Sequence, residues 1–442
     1  MNINPRLDFC VQPGADLTGR LTIPGDKSIS HRALMLGAIA QGTTHITGFL
    51  DGEDTITTLS AFRQMGVRIE RPAPHEVIVH GVGLDGLQAP SQALNLANSG
   101  TSVRLLAGLL AGQAFDSELC GDVSLMQRPM RRIIKPLRQM NANIRCSETG
   151  TLPIVIGASN ALQGIHYKMP VASAQLKSSL LLAGLYASGK TCVTEPAVTR
   201  DHTERMLRHF GGAVQRTQES ICIERQPLLG KPIEVPADIS SAAFFMVAAS
   251  IVEGADLLLP RIGINPTRHA VIEILQSMGA DIKLENTQDC CGEPVADIHI
   301  RHSALHAINI PAHLVPIAID EFPAILIAAA YAEGETVLTG AAELRVKESD
   351  RIQAMTAGLR ALAIDVTETD DGMRVKGGRP SGGIVDSYTD HRIAMAFTVA
   401  GLAASGPITV HDCANVNTSF PGFVDAVFGL GIVIDVSHAS NG

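Results

Sequence analysis

"GDKSISHRALMLGAIAQG", residues 25–42, sets a polar turn, a lysine, two serines, a histidine and an arginine against an Ala/Leu-rich run that stops at Gly. The phrase returns along the chain as "NSGTSVRLLAGLLAG" (98–112), "ASAQLKSSLLLAGLYASG" (172–189), "ADISSAAFFMVAASIVEG" (237–254), "IDEFPAILIAAAYAEG" (319–334) and "YTDHRIAMAFTVAGLAASG" (388–406). Recurrence of this kind marks a repeat architecture. In most copies a β-prone run follows, such as "TTHITG", "KTCVTEP", "ETVLTG" or "PITVHD". That is the pattern expected when a Gly C-cap releases a helix into a strand.

A second phrase follows each first one: "FRQMGVRIE", "LRQMNANIR", "LRHFGGAVQ", "LQSMGADIK", "LRALAIDVT" and "VFGLGIVID". Each reads as an amphipathic helix ending near Gly or Asn, then two strands around a polar turn. The chain therefore reads as six βαβαββ-like units, most simply grouped three plus three. Helices as apolar all round as the first of each unit belong in the centre of a domain. Their polar N-termini must then emerge at specific places.

Composition narrows the possibilities. At 442 residues the chain exceeds what one hydrophobic core usually supports, so two domains are expected. Charged residues make up only 18%, tryptophan is absent and the net charge is -9. No segment combines a basic stripe with aromatics for stacking, which argues against a nucleic-acid partner. Eight cysteines are scattered, with one vicinal pair at Cys290 and Cys291 and no spacing suited to a metal, so they read as thiols of a reducing cytosol. The first residues, "MNINPRLDFC", have neither a basic nor an apolar segment of a signal peptide, and no apolar run approaches a membrane span. A soluble cytoplasmic protein is the expectation.

A helix N-terminus offers unsatisfied N–H groups and about half a positive charge, so a small anion can be caught there. Ser, Thr and Asp at such positions are also simply good N-caps. Capping does not call for Lys27, Arg32, Gln175, Lys177 or Arg392, however. Further charges cluster in "GDVSLMQRPMRR", where Pro129 keeps Arg128 out of a helix, in "EPAVTRDHTERM", with Arg200 ahead of a helix that Asp201 or Thr203 could cap, and in "ELRVKESDRI". On a helix, Lys347 and Arg351 of the last cluster share one face with Glu348 beside them, an arrangement a solvated surface also explains. In "AIDEFPAIL", Asp320 and Glu321 lead an apolar helix, either as carboxylates favoured by the helix dipole or as a catalytic base.

Taken together, "PGDKSISHRA", "NSGTSVRLLAG", "GDVSLMQRPM", "ASAQLKS", "TRDHTERM", "DISSAAF", "IDEFP", "ELRVKESDRI", "DHRIAM" and "TSFPGF" resemble, in order and over nearly the whole chain, the 5-enolpyruvylshikimate-3-phosphate synthase family. The resemblance implies an α/β (α+β) fold: the two-domain inverse α/β barrel-like enolpyruvyl transferase fold, with six βαβαββ repeats, three per domain. It puts one domain at 25–236 and the other at 1–24 plus 237–442, with the active site in the interdomain cleft. It also implies transfer of the enolpyruvyl group of phosphoenolpyruvate to the 5-hydroxyl of shikimate 3-phosphate, releasing phosphate, by a monomer that needs neither metal nor organic cofactor and is inhibited by glyphosate.

Carried over motif by motif, Ser28 and Arg32 meet the shikimate carboxylate, and Ser173, the Ala174 amide and Arg200 its phosphate. Gln175, Lys27, Asp320 and Lys347 complete that substrate's contacts. Lys27, Asn98, the Gly100 amide, Arg128 and Gln175 hold the phosphoenolpyruvate phosphate, and Arg351 with Arg392 its carboxylate. Asp320 is the implied base, and Lys27 with Glu348 supplies the acid and its orientation. The chain departs from many bacterial members at Thr418, where they carry Lys, and at Leu105, where they carry Pro. UDP-N-acetylglucosamine enolpyruvyl transferase is the rival within the fold, but it has Lys-Asn where this chain has Lys27-Ser28, and a loop Cys that is missing around Arg128. A non-catalytic anion-binding protein is the rival outside it, disfavoured by the presence of Lys27, Asp320 and Glu348 together.

Overall fold

The computed structural model describes residues 6–439 apart from Ala15 and Asn160. They form two compact units, each with its own hydrophobic core. The first comprises Gly25–Val235 with Cys290–Glu293, and the second the chain up to Pro24, Pro236–Asp289 and the chain from Pro294 onward.

The first unit holds three four-stranded sheets, and the second two four-stranded sheets and one of three strands. Each described sheet is open, so none closes into a barrel. The simplest repeat runs from strand Leu94–Asn95 through helix Gly100–Leu110 to the parallel strand Ser117–Cys120. Helix Arg131–Gln139 then leads to Ile144–Arg145 and Ile154–Ile156, paired antiparallel.

Other repeats borrow strands from far along the chain, which the period did not announce. Ile233–Glu234 pairs parallel with Gln41–Thr47, matching Ile233 to Ile46. In the second unit Thr18–Arg20 pairs parallel with Asp256–Gly263. Arg6–Val11 lies between Ile408–His411 and Ile434–Ala439, antiparallel to both. In the three-stranded sheet the expected first strand is reduced to bridges His306–Glu333 and Asn309–Val337.

The six Ala-rich helices are central, as their composition requires. Every residue of Ile239–Ile251 is buried, as are Phe322–Ala330 of helix Phe322–Tyr331. Their Gly stops are not C-caps. Gly42, Gly254 and Gly334 lie three residues beyond the last helical residue, at φ +92°, +79° and +102°, turning the chain into the next strand.

The second phrase is the sharper structural signature. Gly66, Asn141, Gly211, Gly279, Ala363 and Gly431 occupy the same place in the six copies, all with positive φ. The next residue donates back to the carbonyl five positions earlier, as Val67 does to Phe62 and Ile364 to Leu359. This is the Schellman closure, which satisfies carbonyls left over at a helix end.

Two further expectations need correction. Cys192 and Cys222 are joined in a disulfide, because antiparallel register sets them directly opposite one another on neighbouring strands. Lys347 and Arg351 do not share a helix. Ala342–Val346 is a 3-10 turn, and the α-helix begins at Arg351 because Asp350 caps it, its Oδ1 accepting from the Gln353 amide at 3.0 Å. Among the described residues no helix is long and apolar enough to cross a membrane.

Candidate active site

The first unit gathers ten of the residues singled out in the sequence onto three helix starts and two loops. Asp26, Ser99 and Ser173 do cap their helices, accepting from the amides of Ile29, Ser102 and Leu176 at 2.8, 3.2 and 3.4 Å. In the second unit Asp238 and Asp390 cap likewise, toward Ser240 and Arg392. A capping aspartate brings its own negative charge, so the six starts are not equal anion traps. The serine-capped helices Gly100–Leu110 and Ala174–Gly184 keep the positive end of the dipole available.

Those two helices pack together, and buried Arg104 links their starts by donating to Gln175 Oε1 at 2.9 Å and to the Gly100 carbonyl at 3.3 Å. Gln175 donates in turn to Thr101 Oγ1 at 3.3 Å. Arg128 is buried at the extended residue that ends helix Val123–Gln127, donates to Asn98, and is held through it to Asp122, whose Oδ2 accepts from Asn98 at 2.8 Å. Proline at the next position removes the helical option for Arg128, as the sequence reading required.

Lys27, at the first position of its helix, pairs with Asp54 of helix Glu53–Gln64. Arg32, one turn on, is buried and donates to Thr203 Oγ1 (2.7 Å), Ser178 Oγ (2.9 Å) and the carbonyl of half-buried Ser28 (2.9 Å). Beside them His31 is fully enclosed, its Nδ1 2.8 Å from Thr58 Oγ1. Burial, then the charges of Lys27 and Arg32, hold its pKa well below the usual histidine value, so the imidazole stays neutral. Arg200 is half-buried in the loop ahead of helix His202–His209. Neither proposed cap serves that helix: Asp201 accepts instead from Arg205, at 2.8 Å.

The second unit assembles the remaining five. Asp320 Oδ1 lies 3.4 Å from Lys347 Nζ and 3.5 Å from Arg351 Nη1. Arg351, 1% exposed, is bound on its other sides by Glu348 at 2.7 Å and by Asp390, whose Oδ2 is 2.8 Å from Nε. Burial works against its charge, but the carboxylates of Asp390 and Glu348 outweigh that and raise its pKa. Arg392 donates to the Asp320 backbone carbonyl at 3.0 Å, while burial and the like charge of Arg351 lower its pKa. Glu321 does not cap its helix. It is wholly buried, accepting from Ser240 and, at 3.3 Å, from Arg268.

Thus the structure brings Asp320, Lys347, Glu348, Arg351 and Arg392 into one network, and Gly100, Asn98, Arg128 and Gln175 into another. Of the five cations and amides that capping did not explain, Lys177 belongs elsewhere: it is fully buried between Glu195 and Glu204. Sequence reasoning passed over Arg104, Asp54 and Asp390. Arg104 and Asp390 each lay inside a quoted phrase, whereas nothing marked Asp54 as the partner of Lys27.

Buried arginines beside serine-capped helix starts suit the binding of small polyanions, and full-length comparison gives that chemistry a family. The sequence profile of EPSP synthase (3-phosphoshikimate 1-carboxyvinyltransferase) matches residues 11–427. The 3-phosphoshikimate 1-carboxyvinyltransferase of Nitrosococcus oceani is 60% identical, with 96% of each chain covered. That of Methylococcus capsulatus is 59% identical over 97% of this chain and 98% of its own. A solved EPSP synthase from Acinetobacter baumannii superposes with a TM-score of 0.88 at 56% identity, covering 98% of this chain and all of that one. With profile, sequence and fold agreeing over nearly its whole length, this chain belongs to the EPSP synthase family.

Proposed function

We infer that the chain transfers the enolpyruvyl group of phosphoenolpyruvate to the 5-hydroxyl of shikimate 3-phosphate, giving 5-enolpyruvylshikimate 3-phosphate and inorganic phosphate. It is a transferase of the shikimate pathway, serving aromatic amino acid biosynthesis. The observation that carries this reading is family membership over the full length together with the Asp320–Lys347–Arg351–Glu348 network.

In the residue-level reading, Lys27, Asn98, Gly100, Arg128 and Gln175 hold the phosphoenolpyruvate phosphate, and Arg351 with Arg392 its carboxylate. Ser173, Ala174 and Arg200 hold the shikimate phosphate, Ser28 and Arg32 its carboxylate, with Gln175 and Lys347 alongside. Asp320 takes the proton of the 5-hydroxyl as its oxygen bonds to C2 of phosphoenolpyruvate. Lys27 and Glu348 deliver and orient the proton that C3 gains. Loss of the C3 proton and of phosphate then restores the double bond on the new ether. What supports these roles is chemistry: the serine-capped helix starts and buried arginines are groups that hold anions, and preorganised cations stabilise developing negative charge. Glyphosate, anionic like phosphoenolpyruvate, competes for the same groups in this reading.

Phosphate release from phosphoenolpyruvate tests the reaction. It is expected with shikimate 3-phosphate and not with UDP-N-acetylglucosamine; release only with the UDP sugar would overturn the assignment.

A further inference from the structure

Lys177 is fully buried, yet it stands one turn from the start of the helix that opens with Ala174 and Gln175. Its ammonium touches three groups: Glu195 Oε2 at 3.0 Å, Glu204 Oε1 at 2.8 Å and the Thr199 carbonyl at 3.2 Å. Glu195 and Thr199 bound one short loop, and Glu195 closes it by accepting from the Thr199 hydroxyl at 2.8 Å and its amide at 3.4 Å. Glu204 lies on the helix that follows, and Arg200 and Asp201 are the residues between. The carbonyl held by Lys177 belongs to the peptide bond that leads into Arg200.

We propose that Lys177 is a positioning residue for shikimate 3-phosphate: it fixes Arg200 against the amides of Ala174 and Gln175, so that a phosphate meets both at once. The proposal rests on the phosphate site assigned above. A buried ammonium between two carboxylates is costly unless its geometry is well satisfied, and removing it leaves uncompensated charge. A hydrophobic residue of similar volume would serve packing alone; this one adds a donor that joins the loop, the next helix and the amide-bearing helix. A phosphate site gains from groups held in place before the ligand arrives, because less ordering is lost on binding.

The test is steady-state kinetics of Lys177→Met and of Lys177→Met/Glu204→Gln, the second relieving one unpaired buried carboxylate, beside Arg200→Ala. The expected result is a rise in KM for shikimate 3-phosphate of about tenfold to a hundredfold in all three, the range for a weakened hydrogen bond to a charged group. KM for phosphoenolpyruvate and kcat should stay within about threefold in the Lys177 variants. KM does not depend on the fraction of enzyme that is folded, so a merely structural lysine would lower the rate per milligram and leave KM alone. If Arg200→Ala raises this KM and the folded Lys177 variants do not, the positioning role is wrong. If Arg200→Ala leaves it unchanged, the phosphate assignment is wrong and the positioning role goes with it.

Discussion

Arg351 and Asp390 form an ion pair in which both side chains are almost wholly removed from solvent, 1% and 0% exposed, with Nε 2.8 Å and Nη2 3.2 Å from the two carboxylate oxygens. Breaking one side of such a pair typically costs about 3–5 kcal/mol because the remaining charge stays buried. Asp390→Asn should therefore lower the thermal midpoint by several degrees, and also raise KM for phosphoenolpyruvate, since Arg351 loses the partner that aims it. A variant with unchanged KM and lowered midpoint would make Asp390 purely structural.

Asp320→Ala removes the carboxylate between Lys347 and Arg351 while leaving its backbone carbonyl to accept from Arg392. The expected loss is in kcat, by about a hundredfold or more, with smaller changes in either KM, as for a group that acts mainly in the transition state. Comparable losses in kcat and affinity would instead mark it as a binding residue.

Gly100→Ala places a Cβ 2.7 Å from Arg104 Nη1 and 3.0 Å from Arg128 Nη1. Both contacts are the far ends of flexible side chains, so the fold should survive while the guanidinium groups shift. A ligand that fills more of the space beside Arg128 will feel that shift first. Glyphosate is the longer of the two anions, so its inhibition constant should rise much more than KM for phosphoenolpyruvate, and equal rises would show that Gly100 does not border its extra length.

Ala363 holds the left-handed position that glycine or asparagine takes in the other five repeats, at φ 61° and exposed. A left-handed non-glycine residue costs roughly 1–2 kcal/mol, and glycine's greater unfolded-state freedom returns roughly 0.5–1 kcal/mol of that. Ala363→Gly should thus stabilise the chain by about 0.5–1 kcal/mol, seen as a higher thermal midpoint with unchanged kinetics. A lower midpoint would mean that the methyl group packs usefully.

Cys291 accepts a hydrogen bond from Cys290, which, against the opposing effect of burial, brings its pKa down to about 6; the Cys290 thiol is pushed up by the same bond and by burial. The lowered pKa favours the Cys291 thiolate, the nucleophilic form. Iodoacetamide labelling followed by peptide mass spectrometry should find Cys291 modified first, with a rate that levels off above about pH 7. Earlier modification of Cys10 or Cys146 would contradict this.

The repeat was legible because a buried helix must be apolar all round, as in Ile239–Ile251, and because the exit turn of the second helix of each unit needs a left-handed residue, as at Gly66 and Gly279. Arg128 was legible through Pro129. The strands of the chain ends were not, since Arg6–Val11 and Thr18–Arg20 find their partners hundreds of residues away and carry no local sign of them. Lys177 misled for a related reason. Its place in a polar helix start looked like a ligand group, and only the loop Glu195–Thr199, remote in sequence, turns it inward. Asp54 was invisible for the same cause, a charge whose meaning depends on a lysine one helix away.

The strand Arg6–Val11 has one further consequence, for synthesis on the ribosome. It sits between Ile408–His411 and Ile434–Ala439, so a strand made early belongs to a sheet whose other members are made hundreds of residues later. Gly25–Val235, by contrast, contains all the strands of its own three sheets and can complete them while the ribosome is still translating the remainder. Vectorial synthesis thus imposes an order: the three sheets of the Lys27 unit can form first, and the strand Arg6–Val11 of the Asp320 unit waits unpaired until Ile408–His411 and Ile434–Ala439 have been made.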